Sequence, residues 1–283
     1  MSKNIPTNFM MPFFPEEEYG WFAHDELMVF GRAGNDFQSS CALFSHPNTR
    51  NMSGDDVLRL RKAGADVCYV YDMIDLENRE FTREGFRAVN ADLTRAISQG
   101  FTHILLSNAY LIELVCNEYA KDLKIVGSSL LECNSERFKV FFDALNDDRA
   151  VSHVVVSQNQ MTPKKLKGLK KAFSDKKLVI EADRWTSDIQ MVHEHYYNMA
   201  YGYSSDDAVE ELERFAADAD VLQHVKTPEQ VWQDDPNFVY KFGEVNVSYE
   251  VWRKNVQKAL AGQSEQIEII DHALWQVLDR EAK

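Results

Sequence analysis

The chain has 283 residues, 45% of them hydrophobic and 27% charged, which is the balance of a folded globular protein rather than a disordered or fibrous one. Its length suits a single α/β barrel or two small domains. A formal charge of −14, from 31 Lys and Arg against 45 Asp and Glu, opposes binding to phosphate backbones, so nucleic acid is not the expected partner, and no span reaches the roughly 18 apolar residues of a membrane helix.

In chain order, MSKNIPTNFMMPFFPEEEYGW opens with an apolar cluster interrupted by prolines and followed by glutamates, with no small-residue cleavage site. It does not read as a secretory signal, and a cytoplasmic protein is expected. ELMVFGR (26–32) supplies an early strand. From there β-branched runs alternate with amphipathic helical segments, the pattern of parallel strands joined by crossover helices. The strands are ADVCYVYDM (65–73), THILLSN (102–108), LKIVGSS (123–129), HVVVSQN (153–159) and KLVIEAD (177–183). The helices between them are REGFRAVNADLTRAISQG (83–100), AYLIELVCNEYAK (109–121), NSERFKVFFDALND (134–147), which Asn134 is placed to cap, and TPKKLKGLKKAFSD (162–175), which opens on a Thr-Pro start signal. The lysines of KKLKGLKK (164–171) read as the solvated face of that last helix. An acidic helix (205–225), a late strand NFVYKFGEV (237–245) and two closing helices (248–262 and 264–282) follow. With no internal repeat or low-complexity linker, the expectation is one domain over 1–283, with helical additions at about 205–225 and 248–282.

Such a series fits an open doubly wound sheet or a closed (β/α) barrel. GRAGND (31–36) is not GxGxxG and there is no GxxxxGK[ST], which lowers the nucleotide-binding sheet and raises the TIM-like barrel. Cys41, Cys68, Cys116 and Cys133 form no CxxC pair and read as buried free thiols rather than disulfides or a zinc ribbon.

In both architectures function sits at the C-terminal ends of the strands. Those ends carry Arg32, Asn35, Tyr71, Asp72, Ser107, Asn108, Ser128, Ser129, Ser157, Gln158, Asn159, Glu181 and Asp183. A polar rim of this kind suits hydrogen bonding to a small molecule, although turns also demand such residues. The expected substrate contacts are Arg32, Asn35, Tyr71, Asn108, Ser128, Ser129, Ser157, Asn159 and, further on, Tyr197. Glu181 and Asp183 alternate with apolar neighbours, so a strand puts both carboxylates on one face, where they can exchange protons or hold a cation. His193 and His195 follow. With Glu181 they make a two-His, one-carboxylate set for a divalent metal such as iron or zinc, while packing or solvent exposure beside Tyr196 and Tyr197 is the plainer reading of both histidines. No HExxH and no GxSxG is present.

The stretches GFTHILLSNAYLIELVCNEYAKDLKIVGSSLLECNSERFKVFF, VSHVVVSQNQMTPKKLKGL, KLVIEAD and TPEQVWQDDPNFVYKFGEVNVSYEVWRKNVQKAL together resemble the collagenase-like peptidase family, peptidase family thirty-two of unknown catalytic type. The resemblance lies in the pattern of segments, over about 200 residues. It implies a barrel, and its relatives include proteins for anaerobic hydroxylation of transfer RNA, ribosomal RNA and ubiquinone precursors. In those relatives the sixth strand is followed by cysteines that bind an iron-sulfur cluster, and then by a histidine. ADRWTSDIQMVHEHYYNMAYGY (182–203) occupies that position here, with His195, or else His193, matching the histidine and Trp185, Ser187 and Asp188 standing where cysteines would be sought. The cluster is therefore not expected, and Tyr196 and Tyr197 are candidates to fill its space. In the closing segment Gly243 is followed by Glu244 where the family pattern has Arg, so an anion held there by relatives is not expected to be held the same way.

What the resemblance implies is a cluster-less barrel. As an enzyme it would be hydrolase-like or hydroxylation-related, acting on a small polar molecule or a biosynthetic or RNA-modification intermediate, with Glu181, Asp183 and His195 as acid-base or metal-binding groups. The competing class is a non-catalytic subunit that binds and positions a protein partner, and the sequence leaves the oligomeric state open.

Overall fold

A computed structural model describes residues 7–15, 17–19, 24–33, 51–71, 76, 78–128, 143, 145, 148–156, 162–181, 231, 234–235, 237–241 and 249–261. The apolar runs form strands β1 (Asn8–Pro12), β2 (Glu26–Ala33), β3 (Asn51–Met52), β4 (Asp66–Tyr71), β5 (His103–Leu106), β6 (Lys124–Gly127), β7 (Val151–Val156), β8 (Lys177–Glu181) and β9 (Val239–Lys241). Every pairing is parallel, in the order β1-β9-β8-β7-β6-β5-β4-β2, and β1 also pairs with β2. That last pairing closes the sheet into an eight-stranded barrel, while β3 is a short addition beside Arg32 and Ala33 of β2. The fold is therefore the TIM-like (β/α) barrel rather than the open sheet.

One barrel strand lies where the sequence suggested only an apolar cluster. Asn8–Pro12 pairs with Glu26–Phe30 on one side and with Tyr240 and Lys241 on the other, and so makes the closing seam. Counted from β1, KLVIEAD contributes the seventh barrel strand rather than the sixth.

Crossover helices α1 (Gly54–Lys62), α2 (Arg83–Gln99), α3 (Ala109–Leu114, continued by a π turn over Val115–Tyr119) and α4 (Pro163–Ala172) lie between the strands, and α5 (Tyr249–Leu260) follows β9. Ser53 and Asp56 form a reciprocal capping box at the start of α1. Thr82 caps α2, which stops at Gly100 in the left-handed region, φ 97°, where a side chain would be strained. Thr162 caps α4 ahead of Pro163, as the Thr-Pro signal suggested. Of the helix expected at 134–147 only Asp143 and Leu145 are among the described residues, and the segments 205–225 and 264–282 lie outside them.

Strand alternation splits the core in two. Met10, Met28, Phe30, Cys68, Val70, Leu105, Val126, Val155, Val179 and Val239 fill the inside of the barrel. The alternate set, including Val29, Tyr69, Tyr71, Ile104, Leu106, Ile180 and Tyr240, forms a larger layer between barrel and helices. Cys68 and Cys116 are buried free thiols; Cys41 and Cys133 lie outside the described residues. Among the described residues no helix is long and apolar enough to cross a membrane.

Candidate functional site

The inner wall of a parallel barrel ends in two mouths, and here they are chemically unlike. At the N-terminal mouth the inward positions include Glu26, Asp66, His103, His153 and Lys177, each two residues ahead of a member of the inner cluster. Glu26 is ion-paired with Lys177, and its Oε1 lies 3.4 Å from His153 Nε2. The His153 imidazole, with the Lys177 ammonium, holds the Glu26 carboxyl down at about 2 despite partial burial. His103 is buried, and desolvation, helped by His153 and Lys177 and opposed by Asp66 and Glu26, pushes its imidazole down to about 4. Asp66 in turn accepts from Arg61 at 2.9 Å. The charges at this end thus answer one another, which suits a structural plug.

The C-terminal mouth is built differently. Arg32, Ser107, Ser128 and Lys241 stand two residues beyond Phe30, Leu105, Val126 and Val239, so they continue the inner wall toward the rim. Ser107, Ser128 and Lys241 are only 3%, 5% and 4% exposed, and Arg32 is half-buried. The Ser128 amide donates to Leu106 O at 2.9 Å, which extends the β5–β6 ladder past Gly127 and sets the two serines beside each other. Among the described residues Ser107 Oγ is buried with no hydrogen-bond partner. Hydroxyls in that state are rare because each costs about 1–3 kcal/mol. In the ring of eight strands β9 is opposite β5, so Lys241 faces the serine pair from the far wall, its Nζ 5.3 Å from the centroid of the Phe30 ring. Glu181 ends β8 with its Cα in register with Lys241.

Of the expected contacts, the structure brings Arg32 and Ser128 to this mouth. It does not bring Tyr71 or Asn108. Tyr71 belongs to the outer layer, fully buried against Tyr69 with ring centroids 5.4 Å apart, and burial raises its phenol well above the ordinary range. Asn108 is the N-cap of α3, its Oδ1 accepting from the amides of Tyr110 and Leu111 at 2.9 and 3.2 Å. Asn35, Ser129, Ser157, Asn159, Asp183, His193, His195 and Tyr197 lie outside the described residues, as does the side chain of Glu181. Among the described residues no group of three His, Cys, Asp or Glu side chains is arranged to hold a metal ion. Ser107 was visible in the rim but not singled out, and Lys241 was missed as a site residue. Its signal was the short alternation Val239-Tyr240-Lys241 at a strand end.

Fold and site together define a closed parallel (β/α) barrel whose C-terminal mouth carries hydroxyls and charged residues of both signs. A solved structure described as that of the U32 peptidase Mk0906 is similar to it, with a TM-score of 0.55 and 12% sequence identity over 85% of this chain and 94% of that chain. At this identity the likeness establishes the barrel and its connectivity, and not the chemistry. No family model and no curated protein matches the chain.

Proposed function

We propose that the chain is a divergent barrel of the collagenase-like peptidase type that handles a small polar molecule at the C-terminal mouth without an iron-sulfur cluster. The observation that carries this reading is the inner wall itself, where Ser107 Oγ is buried with no hydrogen-bond partner among the described residues, across the barrel from the strand that carries Lys241. A hydroxyl placed there at a cost to folding is of use when a ligand satisfies it. The likeness to the U32 peptidase structure supports the family reading, and the lack of any cysteine after Cys133 supports the loss of the cluster. Glu181, in register with Lys241, is the carboxylate we assign to proton transfer, with Asp183 and His195 as further candidates for that role or for a divalent metal. Co-crystals grown with a mixture of small polar metabolites test the reading, with density between Ser107 and Lys241 as the expected result; density confined to other surfaces would sink it.

A second reading, a non-catalytic subunit that positions a protein partner, draws on the exposed rings of Phe81 and Phe86 near the start of α2. It predicts co-purification of one stoichiometric partner that is lost on changing both to Ser.

A further inference from the structure

At the other end of the barrel from the ligand mouth, we propose that the N-terminal floor is an acid-operated latch: proton uptake by His103, packed on His153, parts the floor along β4 to β7 while the β1 seam stays closed.

The floor is a complete ring. Strand alternation adds Asn8, Lys124 and Asn237 to the five inward positions named above, so every barrel strand contributes a described residue. Its rim is wet, with Lys124, Lys177 and Asn237 exposed and Asp66 half-buried, whereas the two imidazoles are buried just inside it. Among the described residues His103 is faced by Asp66 from β4, Glu26 from β2, His153 from β7 and Lys177 from β8, with Lys124 on the adjoining β6. Two of these are carboxylates, yet Asp66 already accepts from Arg61, and Glu26 lies against both Lys177 and His153. A proton on His103 therefore sets a charge beside an imidazole and an ammonium in a desolvated layer, which is costly until water reaches it. That water is at the rim, and parting the floor admits it.

The hydroxyl beside each ring decides where the floor parts. Thr102 Oγ1 accepts from the Val67 amide at 3.1 Å and clips β5 to β4, while Ser152 Oγ clips β7 to β6. Both hydroxyls also hold an imidazole Nδ1, so a ring that swings toward water pulls on the residue that joins its strand to the next. The strands concerned are short. β5 and β6 have four residues each, and the β6–β7 ladder shifts register between Ile125 and Val126. Opposite β6 in the ring, β1 pairs with β2 over five residues without interruption and carries neither imidazole. Cys68 reports on the opening, because it is fully buried in the inner layer with its Cα in register with His103. Cys116 is buried outside the barrel wall, beneath the helices, and serves as the reference thiol.

Hydrogen exchange of the full chain, read peptide by peptide and corrected for intrinsic rates, tests the latch together with labelling by dithiodipyridine, which attacks thiols at acid pH. Protection of the β4, β5 and β6 peptides is expected to fall by tens of fold between about pH 7 and about pH 4.5, the span over which an imidazole held down to about 4 differs from one at 6.5. At the lower pH these peptides exchange at least about tenfold faster than those of β1, and Cys68 is labelled ahead of Cys116. Equal exchange of the two regions, with both thiols labelled together, overturns the latch by showing that acid unfolds the whole barrel. Protection of β4 to β6 that does not change with pH overturns it as well. His103→Gln, which keeps a polar side chain without a titrating ring, holds the floor closed in acid; a response as large as that of wild type would take the role from His103. The first two comparisons use only the wild-type chain, so they stand whether or not the variant folds.

Discussion

The imidazoles of His103 and His153 meet edge to face at the N-terminal end of the barrel, with ring centroids 5.5 Å apart and planes at 74°. Each is preceded by a hydroxyl residue that contacts its Nδ1, Thr102 at 3.0 Å and Ser152 at 2.8 Å. The same hydroxyls stitch strands together: Thr102 Oγ1 donates toward Val67 O on β4, and Ser152 Oγ to Ile125 O on β6. A repeated hydroxyl-His pair therefore orients two buried rings and clips two strand junctions at once.

This arrangement makes stability depend on pH in a definite direction. His103 has its folded-state value depressed from 6.5 to about 4, chiefly by burial. Between those limits the unfolded chain binds more protons than the folded one, so stability is full above about 6.5 and is lost as the pH falls toward 4. The loss is on the order of 2–3 kcal/mol. Urea midpoints measured from pH 7 to pH 4 should fall in wild type and fall less in His103→Gln. Equal slopes in the two proteins would show that the buried imidazole is not the group responsible.

Glu26 acts lower on the scale. Its folded value of about 2 lies below the ordinary 4.5, with His153 and Lys177 as the cause, so its contribution is present above about 4.5 and is lost as the pH falls through 2. Glu26→Gln removes the partner of Lys177 and the carboxylate beside buried His153, and at pH 7 should cost about 1–2 kcal/mol in urea unfolding. The difference from wild type should shrink once the pH drops below 3. A difference that persists undiminished at pH 2 would assign the loss to packing rather than charge.

The strands of the series were legible because β-branched runs such as HVVVSQN and KLVIEAD recur between amphipathic helices. Asn8–Pro12 was not, because NFMMP holds no β-branched residue and prolines crowd it on both sides. The orientation of each strand was also hidden. Strands buried on both faces read as continuous apolar runs, so nothing in CYVY says that Cys68 and Val70 look into the barrel while Tyr69 and Tyr71 look out. That is why Tyr71 was expected in the pocket. Lys241 escaped for a related reason: an isolated lysine at a strand end looks like any solvated one until the closed sheet shows that it is buried.

Two glycines should respond to Ala with opposite signs. Gly85, in the first turn of α2, packs so closely on the preceding turn that an added Cβ would lie 2.5 Å from Arg79 Cα, a clash with backbone that cannot rotate away. Gly85→Ala should destabilise the protein by about 1–3 kcal/mol. Gly168, mid-way along α4 and exposed, has nothing within 4 Å of the same atom, so Gly168→Ala should stabilise by about 0.5–1 kcal/mol through helix propensity alone. Thermal midpoints that move in the same direction for both would contradict the packing of α2 described here.

Asn108 and Ser128 separate scaffold from site, since both end barrel strands and both looked like ligand contacts. The Asn108 carboxamide is occupied by the first amides of α3, so Asn108→Ala should cost about 1 kcal/mol of stability. Ligand density at the mouth in the metabolite co-crystals should be unchanged, because the side chain caps a helix outside the inner wall. Ser128 continues that wall next to Ser107, so Ser128→Ala should do the reverse, reducing the ligand density at the mouth through loss of one neutral hydrogen bond, with little change in the urea midpoint. Measured side by side, the two variants divide polar strand ends into those that hold the barrel together and those that face its ligand. A loss of that density in Asn108→Ala equal to the loss in Ser128→Ala would move the site outward to the loops.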